Sequence, residues 1–301
     1  MTNSGRPQIS VCICTYKRPD LLRRLLEELE RQQTGEAFTF SVVVADNDAA
    51  RSAEPLVAEF ARRSPDRVAY CCEPTQNIAL VRNRAIENAA GDFIVFIDDD
   101  EFPVVVWLAE LLKTCERHNA SGVLGPVRPH FDSPPPRWLI KGRFCERPEH
   151  PTGTVLQWSQ CRTGNVLFRR SILPPATPPF RAQFGTGGED VDFFQRMAAQ
   201  GASFVWCNEA VAYETVPPSR WTRKYMLQRA LLRGKNSLKI SQRRSVLLAK
   251  SLLAVPLYAI VLPFALLAGQ HNFMKLLIPC CDHLGRLLAA VGLHPMDERP
   301  M

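Results

Sequence analysis

The sequence predicts an α/β domain built on a largely parallel sheet, and two observations predict it. Short apolar runs alternate with amphipathic helical patterns through the first half of the chain. Several runs also end directly in Thr, Asp or Asn, where open α/β sheets bind ligands beyond the carboxyl ends of their strands.

Residues 9–14 read as a buried first strand, with Cys12 and Cys14 on one face. Pro19 opens a helix whose apolar face carries Leu21, Leu22, Leu25, Leu26 and Leu29. A second strand, 40–45, runs into Asp46-Asn47-Asp48; a helix over 55–63 and a strand over 68–72 follow. Residues 77–90 read as a helix stopped by Gly91 in the left-handed C-terminal position. The apolar strand 93–97 ends in Asp98-Asp99-Asp100-Glu101, and a helix over 104–115 and a strand near 123–127 come next. Residues 129–153, with Pro134-Pro135-Pro136, read as a long surface excursion of the kind that often serves function. Order returns at 163–168 and 185–192, with an amphipathic helix over 191–199 and a late strand over 202–207.

With 301 residues, 46% hydrophobic and 22% charged, the chain has the makings of a full core and is not disordered. The net charge of +7 points to an anionic partner. Nucleic acid, an acidic substrate or an anionic membrane would each satisfy that charge; the motifs below favour the last two and no nucleic acid. The ten cysteines include no C-x-x-C and the six histidines lack ligand spacing, which argues against zinc and for a reduced, cytosol-facing chain. The polar start of the chain, up to Gln8, carries no secretory signal.

The triple aspartate is the most informative feature. Three carboxylates at one strand end repel and raise one another's pKa. A hard divalent cation, Mg²⁺ or Mn²⁺, would relieve that repulsion while bridging to a diphosphate. The bland reading is an acidic turn at a helix N-terminus. Asp46 or Asp48 could accept the imide N–H of a uracil, or simply shape a turn. Thr15, Tyr16, Lys17 and Arg18 offer backbone, an aromatic face and cations to a nucleotide diphosphate. Arg82 and Arg84 could reach phosphate or line a solvated helix face, and Glu189-Asp190 could supply a base or a helix N-cap.

Together these segments resemble the family 2 glycosyltransferases, inverting enzymes with a GT-A fold: a Rossmann-like mixed sheet flanked by helices. The carriers are Val11-Cys12-Ile13-Cys14-Thr15-Tyr16-Lys17-Arg18-Pro19, Val43-Val44-Ala45-Asp46-Asn47, and Asn77 through Val81-Arg82-Asn83-Arg84-Ala85. Gly91-Asp92 through Asp98-Asp99-Asp100, Gly164-Asn165-Val166-Leu167-Phe168-Arg169 and Gly187-Gly188-Glu189-Asp190 complete the match, which covers roughly residues 8–240. The resemblance implies that Thr15, Tyr16, Arg18, Asp46, Asp48, Arg82, Asp98 and Asp99 hold a nucleotide-sugar. It assigns Asp100, with Asp98, to Mn²⁺ or Mg²⁺, Asp190 to the catalytic base and Glu189 to the acceptor. One departure is that Ile78 and Ala79 stand where the family has a glycine after Asn77.

The C-terminal third, from Tyr213-Glu214-Thr215-Val216-Pro217 to Arg233-Gly234, resembles bacterial exopolysaccharide glycosyltransferases of the succinoglycan type. Residues 220–250 are basic and acid-free, and 251–269 are apolar without a charge, close to the minimum for a bilayer span. Pro256 and Pro263 would permit a kinked span, a re-entrant hairpin or an interfacial pair of helices. The expectation is a catalytic domain over 1–240 and a basic, apolar membrane-associating appendage over 241–301. The chain would move a hexose, from a UDP-sugar, to a lipid-linked or free saccharide at the cytoplasmic face of the plasma membrane. The alternatives are a nucleotidyltransferase, disfavoured because Thr15 to Pro19 has no glycine, and an inactive sugar- or membrane-binding scaffold.

Overall fold

In the computed structural model, which describes residues 5–185, 187–240 and 243–293, the first apolar run forms β1 (Gln8–Thr15) and Pro19 opens α1 (Pro19–Glu30). β2 (Thr39–Asp46), α2 (Glu54–Arg63), β3 (Val68–Cys72), α3 (Ile78–Glu87) and β4 (Phe93–Asp98) continue the alternation. Next come β5 (Glu101–Pro103), α4 (Trp107–Arg117), β6 (Gly122–Leu124), β7 (Val127–His130) and α5 (Arg137–Gly142). β8 (Val166–Arg169), α6 (Glu189–Ala199), β9 (Phe204–Trp206) and β10 (Ala212–Thr215) precede three long helices, α7 (Arg223–Ile240), α8 (Arg244–Leu267) and α9 (Gln270–Ala290).

The main sheet has the order β3-β2-β1-β4-β8-β6-β9. β1 to β4 pair in parallel, while β8 runs antiparallel to both β4 and β6, so the sheet is mixed. The register sets Thr15 opposite Asp46 and Cys14 opposite Asp98, which brings three chemistry-bearing strand ends to one edge. Strand periodicity divides the core. Ile9, Val11 and Ile13 join the leucines of α1 and residues of α2 and α4 on one face. Cys12 lies on the other face with Phe96, Phe168, Phe180, Phe193 and Phe194. On α1 the stripe Leu22, Leu25, Leu26 and Leu29 is buried, each leucine contributing about 1.5–3 kcal/mol.

The structure changes several sequence expectations. Helix α3 ends at Glu87, and Gly91 is no left-handed cap: a Cβ there would lie 2.6 Å from Gln8 O and 2.7 Å from Ser10 N. Gly91 is needed because its backbone passes against β1, where Ser10 Oγ accepts from the N–H groups of Ala90 and Gly91. Helix α4 starts at Trp107, not Val104, because Glu101–Pro103 pairs antiparallel with β10. Within the excursion, Arg137–Gly142 is helical, and Arg128 donates twice to Glu149 at 2.9 Å across its base.

The described residues form two compact units, one drawn from Met1–Arg128 and Arg147–Glu214, the other from Pro129–Glu146 and Thr215–Met301. Helix α7, counted with the catalytic segment in the sequence reading, belongs to the second unit. Helix α8 runs unbroken through Pro256 and Pro263, so a hairpin inside 251–269 is replaced by one continuous helix. It is long and apolar enough, by length and composition, to cross a membrane. All ten cysteines are free thiols.

Gly91→Ala is expected to lower the unfolding free energy by about 1–3 kcal/mol, because backbone and not a flexible side chain blocks the added methyl. Urea denaturation measures this; an unchanged midpoint would contradict the close approach.

Candidate active site

The site forms where β1, β2 and β4 end and where α6 begins. At the end of β1, Thr15 Oγ1 donates to Asp99 Oδ2 at 2.8 Å, and Arg18 Nη1 lies 3.1 Å from Asp99 Oδ1 and 3.3 Å from Asp100 Oδ2. Asp99 is thereby held inward on both oxygens. Burial raises its pKa, with Arg18 and Thr15 opposing that shift. Tyr16 is exposed beside it, and Lys17 takes the left-handed conformation (φ 54°), sparsely populated for a side-chain-bearing residue. Its Nζ lies 3.9 Å from Asp48 Oδ1.

The carboxylate of Asp46 is fully buried and serves the protein's own donors. Oδ1 accepts from Asp48 N at 3.0 Å; Oδ2 accepts from Ala53 N at 2.8 Å and from the Tyr70 hydroxyl at 3.2 Å. With these three donors Asp46 shapes the loop after β2. Asn47 is likewise engaged, donating to Glu73 O and Thr75 O and accepting from Asn77 N. Asn77 caps α3, its side chain accepting from Ala79 N and Leu80 N.

Helix α3 presents its two arginines differently. Arg84 turns outward to Glu73 and Glu87. Arg82 is buried, pairs directly with Glu189 at the start of α6, and reaches to 3.9 Å from Asp98 Oδ1. Arg82 therefore joins the carboxylate at the start of α6 to the one at the end of β4. Glu189 Oε2 is buried without a hydrogen-bond partner, and desolvation raises the Glu189 pKa although Arg82 opposes it. Asp190 follows at the first turn, accepting from Val191 N at 2.8 Å. Beside this cluster the Cys14 thiol is pushed up to about 12 by burial, so it stays protonated and is no nucleophile.

Asp98 is the open member of the aspartate run, its side chain 47% exposed against 7% for Asp99 and 11% for Asp100. Sequence reading passed over the layer behind it. Glu101 is buried; its Oε2 lies 3.4 Å from Asp98 N, and its Oε1 has no hydrogen-bond partner. Arg147, where the chain returns from the excursion, pairs with Glu214 and approaches Glu101 Oε1 to 3.9 Å. Gly164 makes this layer fit: a Cβ there would lie 2.9 Å from Glu101 Oε1 and 3.2 Å from Asp98 Oδ2. Next to it Asn165 is buried in the left-handed conformation, accepting from Trp107 Nε1 and donating to Pro126 O and Ala210 O. The signal was present, since Glu101 directly follows the aspartates.

The donor chemistry fits a hard divalent cation. Asp98 and Asp100 present hard oxygen donors at the end of β4 and in the turn after it, and the Glu101 Oε1 behind them has no hydrogen-bond partner. Among the described residues no three His, Cys, Asp or Glu side chains form a ready cage. Mg²⁺ and Mn²⁺ sites commonly take only one or two carboxylates and draw their remaining oxygens from phosphate and water.

Two outcomes follow from this geometry. Arg82→Leu leaves Glu189 as an unpaired buried carboxylate, so a loss of about 3–5 kcal/mol in urea unfolding is expected; a loss under about 1 kcal/mol would contradict the pairing. Burial, then Asp98, push the Glu101 carboxyl well above its ordinary range, with Arg147 opposing. With the folded pKa above the unfolded one, its stabilising contribution is full below the unfolded pKa and is lost as pH rises through the folded one. The unfolding free energy of wild type relative to Glu101→Gln is thus expected to fall as pH rises from about 4. A difference independent of pH would oppose this reading.

Comparison with known proteins agrees with the fold. Residues 10–174 match the model described as Glycosyl transferase family 2. The chain is 36% identical over 230 residues to the succinoglycan biosynthesis protein ExoM of Rhizobium meliloti, covering 75% of this chain and 72% of that protein. It is 25% identical over 246 residues to the hyaluronan synthase of Pasteurella multocida, of which it spans 25%. Among solved structures, the mannosyltransferase PcManGT from Pyrobaculum calidifontis, in complex with GDP-Man and Mn²⁺, superposes with a TM-score of 0.63 at 18% identity, covering 94% of this chain and 88% of that one. TarS 1–349 of S. aureus in complex with UDP gives 0.54 at 16% identity, covering 96% and 93%. These neighbours share the GT-A fold. The chain is a glycosyltransferase and belongs to glycosyl transferase family 2.

Proposed function

We propose that this enzyme transfers a hexose from a nucleotide-sugar, a UDP-sugar in the first instance, to a saccharide acceptor with inversion at the anomeric carbon. The acceptor is a growing, polyprenyl-linked exopolysaccharide unit at the cytoplasmic face of the plasma membrane. Similarity to a succinoglycan biosynthesis protein supports the pathway class, and solved neighbours bound to UDP, UDP-GlcNAc or GDP-Man support the donor class. The observation that carries the proposal is the Arg82 bridge, which holds Glu189 of the α6 start and Asp98 of the β4 end beside one another.

In this reading Asp98 and Asp100 hold Mn²⁺ or Mg²⁺. When bound, the cation neutralises charge developing on the leaving diphosphate. Tyr16 offers an exposed aromatic face to the base, and Arg18 is the cation nearest the aspartates. Asp48, Thr15 and Asp99 act by shaping the pocket. The unpartnered Glu189 Oε2 accepts a hydrogen bond from an acceptor hydroxyl and orients it. Asp190 takes the proton of the attacking hydroxyl as its oxygen bonds to the anomeric carbon. The bond from that carbon to the diphosphate oxygen breaks, and its electron pair leaves on the nucleoside diphosphate. One displacement from the opposite face inverts the centre.

Asp190→Asn is expected to lower turnover by about 10²–10⁴-fold while donor affinity stays within about threefold, because only the proton acceptor is lost. Single-turnover transfer and donor titration measure the two, and parallel loss of both would displace Asp190 from the role of base. Chelation with EDTA, or Asp98→Asn, is expected to abolish the thermal shift given by UDP-sugars with Mn²⁺. A shift that survives both treatments would remove the metal from the proposal.

A further inference from the structure

Helices α7, α8 and α9 leave an apolar surface uncovered whose orientation to a membrane can be read from their packing. On α8 only one narrow stripe is covered. Ser251 is fully buried and its Oγ lies 3.0 Å from His283 Nδ1, the Tyr258 and His283 rings are 6.0 Å apart, and Ala265 is buried further along. The rest of the helix is open: Leu252, Leu253, Leu257, Ile260, Phe264 and Leu267 are 63–87% exposed. After the turn at Gly269 (φ 113°), α9 returns antiparallel along the covered stripe.

Helix α7 lies beside α9 and runs in the same direction, because their contacts advance in step. Arg223 Nη2 donates to Gln270 Oε1 at 2.6 Å, Arg233 pairs with Asp282, and Arg286 Nε donates to Ser237 Oγ at 2.9 Å. Two glycines allow the close crossing. A Cβ at Gly234 would lie 2.1 Å from Asp282 O, and one at Gly285 would lie 2.2 Å from Leu231 O. The three helices therefore lie side by side over most of their lengths.

This arrangement decides between crossing a bilayer and lying on it. Were α8 to cross, α9 and then α7 would enter the hydrocarbon with it. Exposed Arg223, Lys224, Arg229 and Lys275 would meet lipid, each at a cost on the order of a hundredfold in partitioning. The charge balance points to the surface instead. Between Arg220 and Leu293 there are twelve Lys and Arg residues and a single acid, Asp282, itself paired with Arg233.

We propose that α8 lies in the plane of an anionic phospholipid leaflet, its Leu253–Leu257–Ile260–Phe264 face embedded about 5–10 Å at the acyl boundary. Helices α7 and α9 stay at headgroup level and in water, their cations facing the lipid phosphates. This rests on the membrane-surface part of the proposed function, and it makes the attachment monotopic.

Sedimentation of the full chain with phosphatidylglycerol-containing vesicles is expected to show at least about tenfold tighter partitioning than with phosphatidylcholine alone, weakening with salt. Leu253→Glu combined with Ile260→Glu is expected to lower that partitioning about tenfold or more, with soluble nucleotide-sugar hydrolysis unchanged. His271→Cys, at the start of α9, is expected to react with an impermeant maleimide in inverted inner-membrane vesicles and to be protected in intact cells, the unsubstituted chain giving the background. Reaction in intact cells and protection in inverted vesicles would show that α8 crosses and would overturn the in-plane placement. Absence of vesicle binding together with concentration-dependent dimerisation would assign the face to a second copy of the chain and overturn the lipid partner. Intact hydrolysis with failed vesicle binding would remove the membrane claim alone, whereas intact vesicle binding without hydrolysis would remove the transferase reading alone.

Discussion

The site depends on one buried guanidinium. Arg82 projects from α3 into a space bounded by β4 and α6, and it pairs with Glu189 while facing Asp98. A buried ion pair adds little net stability over a well-packed apolar contact, because desolvation of both charges offsets their attraction. Its effect is positional. With Arg82 in place, the start of α6 is held against the strand end that carries the aspartates, although the two lie about ninety positions apart in the chain. The Phe180 ring, 5.7 Å from the guanidinium, closes the apolar side of the same space.

Around that cation the carboxylates divide by burial. Asp46 and Asp99 are held on both oxygens by the protein's own donors and fix the loops after β2 and β4. Asp98 and Asp190 are less enclosed, and Glu189 and Glu101 each keep one buried oxygen unpartnered. Such oxygens are costly to retain in a folded chain. The acid-rich pocket is thus only partly neutralised from within, by Arg18, Arg82 and Arg147.

Much of this was legible in the sequence, for a physical reason. Apolar runs ending in Thr15, Asp46 and Asp98 mark strand ends, and parallel pairing brings such ends to one edge of a sheet. Helix α1 was equally readable, because Pro19 and the leucine spacing specify both its start and its buried face. What spacing cannot show is the partner of a side chain. Arg82 and Arg84 look alike in sequence, yet one turns inward to Glu189 and the other outward to Glu73. The donors that hold Asp46, Ala53 N and the Tyr70 hydroxyl, come from elements that fold back upon it and cannot be read from spacing. The reversal of β8 and the layer formed by Glu101, Arg147 and Glu214 likewise depend on contacts between distant segments. Helix α8 shows the same limit: its composition leaves span and surface open, and only the company of α7 and α9 separates them.

The central claim is that one cation positions both the donor-side and the acceptor-side carboxylates. The most direct measurement is the steady-state and single-turnover kinetics of Arg82→Lys with donor and acceptor varied separately. Lysine keeps the charge but loses the planar fork that spans two partners. The account predicts that KM for both substrates rises and that the transfer rate falls, each by about tenfold or more. A change confined to the donor, with acceptor KM and transfer rate as in wild type, would contradict it.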